Sequence, residues 1–140
     1  MIISEFIFRL GAALLAGLAI GFERQWHHKT AGLRTNLLVA TGAAVFVLIS
    51  FELKESESSI DTSRIIAQVV TGVGFLGAGI IFREGNNVHG LTSAATIWCS
   101  AAIGCLAASG FFIETLVCTI TVIVVNSFLT PLDKWLKNRK

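Results

Sequence analysis

Five stretches of this chain, each close to the roughly 20 residues that a bilayer core requires, run almost without charge. They lie at about 2–22, 35–51, 65–82, 91–109 and 111–129. Backbone polar groups in hydrocarbon must be bonded within a helix or a closed barrel. Barrel strands alternate apolar and polar residues, whereas these runs are apolar on every side, so helices are expected. The chain has 140 residues, 54% hydrophobic and 14% charged, with a mean hydropathy of +0.74. Soluble domains are nearer a quarter charged, and one this small cannot hide the excess apolar surface. The expected fold is therefore an all-α membrane protein: a single domain over 1–140, built as a compact bundle of about five transmembrane helices.

Charge placement predicts an orientation and excludes some functions. With the C-terminus inside, the inner segments hold Arg24, Lys29, Arg34, Arg83, Lys134, Lys137, Arg139 and Lys140, against Lys54 and Arg64 outside. That bias places the N-terminus outside and the C-terminus in the cytoplasm. A net charge of +2, with basic residues at the ends of apolar runs, gives no footprint for nucleic acid. Glu5 precedes Arg9 without a basic leader, so the first run reads as a retained span. Glu5 and Arg9 are one helical turn apart and able to pair. Cys99, Cys105 and Cys118 all lie in apolar runs, as packing residues and not as a secreted disulfide framework.

Small residues recur at helical spacing. The first span carries Ala13, Gly17 and Gly21, and the fourth carries Thr92, Thr96, Ser100, Gly104 and Ala108. The third carries Gly72, Gly74, Gly77, Ala78 and Gly79. Such ladders let helix backbones approach closely, within one chain or between copies as a homo-oligomer. The glycines of the third span are also able to bend or break it, as in ion-binding transporters. Gly72–Gly77 matches GxGxxG, but it lacks the strand–turn–helix context of a dinucleotide site. Ser109-Gly110 predicts a tight turn, and Pro131, the sole proline, is expected to end the fifth helix.

Polar residues in or beside spans are costly in lipid and are the candidate functional groups. Asp61, Arg64 and Gln68 share one face of the third helix at its outer end, where Asp61 can cap it. Glu23 and Arg24 close the first span, Arg34 opens the second, and Arg83 and Glu84 follow the third. Thr92 and Cys99 share a face of the fourth. The outer loop with Glu52, Glu55, Glu57 and Asp61 is able to attract divalent cations weakly; carboxylates of this kind bind Mg²⁺ only when folded into near-octahedral geometry, which spacing does not show. His27, His28 and His89 match no usual metal spacing, and no nucleophile–base or P-loop motif is present, so no enzyme activity and no cofactor are expected.

The string Ala31-Gly32-Leu33-Arg34-Thr35-Asn36, with Gly21-Phe22-Glu23-Arg24-Gln25-Trp26 before it, resembles the MgtC/SapB family. The resemblance continues through Leu38–Ala44, Asp61, Arg64–Val70 and Gly72–Gly79, and closes with Arg83-Glu84-Gly85 and Gly90–Ala101. It implies a bacterial inner-membrane protein of about five spans, linked to growth when Mg²⁺ is scarce and, in pathogens, to survival inside macrophages. It implies regulation of another membrane complex, such as a pump or the ATP synthase. A Mg²⁺ or other cation transporter is the alternative. The resemblance points to Glu84, Thr92 and Cys99, and then to Glu23, Arg34, Asp61, Arg64 and Gln68. Many relatives continue into a soluble ACT-like domain; this sequence stops at Lys140, so that role is expected to be absent or supplied by another protein. Some relatives have Asn where this chain has Thr92, which keeps a hydroxyl but no amide.

Overall fold

The computed structural model describes residues 1–57 and 59–137. Five helices, α1 (Ile3–Trp26), α2 (Leu33–Ser56), α3 (Thr62–Ile80), α4 (Leu91–Ala108) and α5 (Phe112–Lys137), are joined by short connections. All five are long and apolar enough to cross a membrane. Helices α1, α2 and α4 pack against one another, α3 rests on α2 and α4, and α5 rests on α1 and α4. The buried positions are mostly small, with Ala13, Ala40, Ala44, Ala101, Ala107 and Ala108 in the core. Phe8, Phe46, Phe75 and Phe128 point outward. This arrangement suits lipid, which gives no hydrophobic reward for burying large side chains and leaves close packing as the cohesive force.

The helix ends follow from local chemistry. Asp61 caps α3 by accepting the Ser63 N–H at 2.9 Å. After α4, Gly110 takes φ +84°, Gly110 N–H bonds the Ala107 carbonyl and Phe111 N–H bonds that of Leu106, a Schellman termination. The same pattern ends α1, with Lys29 N–H on the Arg24 carbonyl, but His28 stands at the left-handed position (φ 51°) that glycine usually takes.

Three sequence expectations need correction. Pro131 does not end α5: the helix continues to Lys137. Proline removes one backbone donor, toward the Ser127 carbonyl, and its fixed φ is helical, so one turn absorbs it. The third span does not reach Phe82. The helix stops at Ile80, and a hairpin follows in which β1 (Phe82–Glu84) pairs antiparallel with β2 (Asn87–His89). Gly85 at φ +58° opens its two-residue turn. Nor do the glycines break α3, which is one continuous helix. Of the residues used to orient the chain, Arg139 and Lys140 lie outside the described ones.

Candidate functional site

One stripe of α4 carries three buried polar side chains that link it to its neighbours. Ser93, Thr96 and Ser100 follow i, i+3, i+7 spacing, and each reaches a different helix. Arg24 of α1 donates from Nη2 to Ser93 Oγ at 2.9 Å. Asn126 of α5 pairs with Thr96 at 3.3 Å. Ser100 Oγ donates to Asn36 Oδ1 of α2 at 2.8 Å. Asn36 then donates from Nδ2 to the Ala31 and Gly32 carbonyls, tying the α1–α2 connection to mid-bundle. In hydrocarbon an unpaired amide costs several kcal/mol, so these reciprocal pairs hold the helices in one register.

Above this stripe the bundle closes. A Cβ built on Gly104 would lie 2.2 Å from the Ala40 carbonyl oxygen, so α4 and α2 meet backbone to backbone. Gly17 and Gly21 of α1 play the same part against Asn36–Ala40 and Leu33, with Cβ approaches of 3.0 and 2.7 Å. At the opposite end Arg9 pairs with Glu5, donates to the Ala108 carbonyl at 2.8 Å and lies over the Phe51 ring. A cation there complements the negative end of α4.

The candidate residues do not form one site. Glu23 is buried, with Oε1 3.0 Å from His27 Nδ1; Glu23 Oε2 and the adjacent Arg24 Nε have no hydrogen-bond partner among the described residues. Arg34, Glu84 and Thr92 are exposed around that same end of the bundle, with Glu84 3.9 Å from His89 across the hairpin. Cys99 is half-buried. Asp61, Arg64 and Gln68 lie at the other end of α3, all exposed, with Asp61 and Arg64 4.0 Å apart. Hydrogen bonds from Ser63 hold the Asp61 carboxyl below its ordinary pKa.

The acids around the α2–α3 connection are dispersed. Glu52 and Glu55 face the Met1 amino group, Glu57 accepts from Ser59 and Asp61 caps α3. Among the described residues, no three His, Cys, Asp or Glu side chains converge as metal ligands.

The packing glycines divide into two groups. Gly17, Gly21 and Gly104 are at close helix contacts, and a Cβ built on Gly77 would lie 3.6 Å from Ala94 Cβ, an ordinary contact distance. Gly72, Gly74 and Gly79 meet nothing within 4 Å, so they do not pack inside this chain. Sequence reasoning passed over the roles of Asn36, Ser93 and Asn126. Asn126 is a lone amide in an apolar run, and Ser93–Thr96–Ser100 is a polar helix stripe; both signals were present.

The family model of the MgtC family matches residues 10–135. The chain belongs to the MgtC family. Relatives named protein MgtC from Brucella abortus (strain 2308) and Brucella suis are each 57% identical over 122 residues, covering 87% of this chain and 50% of theirs. Protein MgtC of Salmonella typhimurium (strain LT2) is 53% identical over 129 residues, covering 92% of this chain and 54% of its own. The chain thus spans about half the length of these MgtC relatives. No solved structure matches it. Membership in the MgtC family and the five apolar helices make it a multi-pass membrane protein.

Proposed function

We propose that this MgtC-type protein regulates another complex of the bacterial inner membrane, such as a pump or the ATP synthase. That regulation would support growth at low Mg²⁺ and, in a pathogen, survival inside macrophages. In this reading the N-terminus is outside, and the end bearing Arg34, Glu84 and Thr92 faces the cytoplasm. The observation that carries it is the closed interior. The polar stripe of α4 is spent on interhelix hydrogen bonds, and the Gly104–Ala40 contact leaves no gap between α4 and α2. A cation path would need oxygen ligands at depth, from side chains or from the carbonyls of a broken helix. No acidic residue lies in the middle third of any of the five helices, and α3 is unbroken. The groups left available are the exposed collar of Arg34, Arg83, Glu84, His89 and Thr92, which is suited to a partner's surface.

The test is reconstitution of the purified chain with candidate complexes in vesicles. Wild-type protein is expected to change proton pumping or ATP synthesis by one of them, and Glu84→Ala to lose that effect while staying folded. Activity of every candidate complex unchanged by saturating wild-type chain would contradict the proposal.

A further inference from the structure

We propose that α3 pairs with α3 of a second copy of this chain, forming a parallel two-fold dimer within the membrane. The seam is Asp61, Ile65, Gln68, Gly72, Phe75 and Gly79. Their 4-3-4-3-4 spacing places them along one side of the helix, as in the contact line of a coiled coil. Five of the six are exposed and Ile65 is half-buried, with Phe75 at 83%. Beside the seam runs an apolar groove of about 540 Å³ between α2 and α3, and Gln68 and Gly72 form part of its α3 wall.

Gln68 decides what covers this side. It begins about 9 Å along a helix that is itself about 28 Å long, well inside the span. Its side-chain amide makes no hydrogen bond to any described residue. A lipid acyl chain can fill the groove but offers no donor or acceptor, so the occupant must carry a polar group at that depth. A second copy related by a two-fold axis along the membrane normal brings its own Gln68 to the same depth. A carboxamide both donates and accepts, so two such side chains satisfy each other.

The neighbouring positions agree. Gly72, one turn further along, and Gly79 meet no atom within 4 Å of a built Cβ, so a partner backbone is free to approach there. At the membrane edge Asp61 and Arg64 present opposite charges 4.0 Å apart. A two-fold axis brings the two Asp61 carboxylates toward each other, and the Arg64 guanidinium beside each one offsets that like-charge approach. The inference is independent of the regulatory reading, because it concerns a lateral face of α3 and not the collar, and is read from the mass of a cross-linked species.

The test uses the full chain in bacterial membranes with Gly72→Cys under mild oxidation, and wild type and Leu15→Cys, on the exposed side of α1, as controls. Gly72→Cys is expected to give a disulfide-linked homodimer, and both controls only background. Adding Gln68→Leu is expected to weaken association roughly tenfold, the scale of one lost interhelical amide contact, with Gln68→Asn retaining most of it. Gln68→Leu places an apolar side chain on an exposed position, and unchanged thermal unfolding in detergent would show the monomer intact. Cross-linking of Gly72→Cys no stronger than that of Leu15→Cys would overturn the proposal. So would a dimer insensitive to Gln68→Leu, or linkage of Gly72→Cys to a different protein.

Discussion

Gly104 sets how closely α4 can approach α2. With the Ala40 carbonyl 2.2 Å from a built Cβ, even Gly104→Ala must separate the two backbones. That variant is expected to lose folded protein steeply, whereas Gly74→Ala, which meets nothing within 4 Å, should accumulate normally. Fluorescence-detected size exclusion of the two variants checks the contrast. Asn36 serves the same contact through hydrogen bonds to Ser100, Ala31 and Gly32. Asn36→Leu should cost about 1–2 kcal/mol of unfolding free energy in bicelles, because it leaves a buried serine without its acceptor. At this scale the sequence was partly legible. Four-residue ladders identified Gly17, Gly21 and Gly104 because regular spacing on a helix implies a shared face. The glycine cluster of α3 was not resolved in the same way: Gly72, Gly74 and Gly79 meet nothing within 4 Å, and spacing shows which residues share a face, not whether a helix of the same chain or of a second copy covers it.

Among the elements, α3 is the least embedded, resting on α2 and α4 along one side only. Its start depends on the Asp61 cap, whose carboxyl is held below the ordinary range by its bonds from Ser63. A folded-state pKa lowered in this way stabilises the helix above the unfolded carboxylate value. That contribution is lost as pH falls through the lowered one. The protection of the Ser63 amide, the slowing of its exchange relative to an unstructured chain at the same pH, should therefore fall on acidification through that range, and Asp61→Asn, which keeps an acceptor without a proton equilibrium, should flatten the dependence. Further along, a Cβ built on Gly77 would lie 3.6 Å from Ala94 Cβ. Gly77→Leu is expected to push α3 off α4 and reduce accumulation in the membrane, measured by quantitative blotting of membrane fractions; normal amounts of folded protein would contradict that contact. All five helices were legible from apolar run length, because hydrocarbon thickness imposes it directly. The hairpin was not legible although Gly85-Asn86 lies between two short segments, because strands of three residues carry too little alternation to stand out beside long apolar runs. Pro131 misled for a different reason: a proline forbids one hydrogen bond, not a helix.

Across the whole molecule, most aromatic side chains face outward and the polar stripe of α4 joins α1, α2 and α5 from within. That organisation is the reverse of a pore, whose polar groups must stay available to a passing ion. The dispersed site residues were legible one by one as costly polar groups in or near lipid. Their division into a collar at one end and a seam at the other was not, because it depends on which faces α2 and α4 leave uncovered. The most direct measurement is Mg²⁺ entry into liposomes containing the purified chain and an internal Mg²⁺-sensitive dye. The closed interior predicts entry no faster than in protein-free liposomes. Saturable entry that disappears on Glu84→Ala or Gln68→Ala would contradict it and establish a transporter instead.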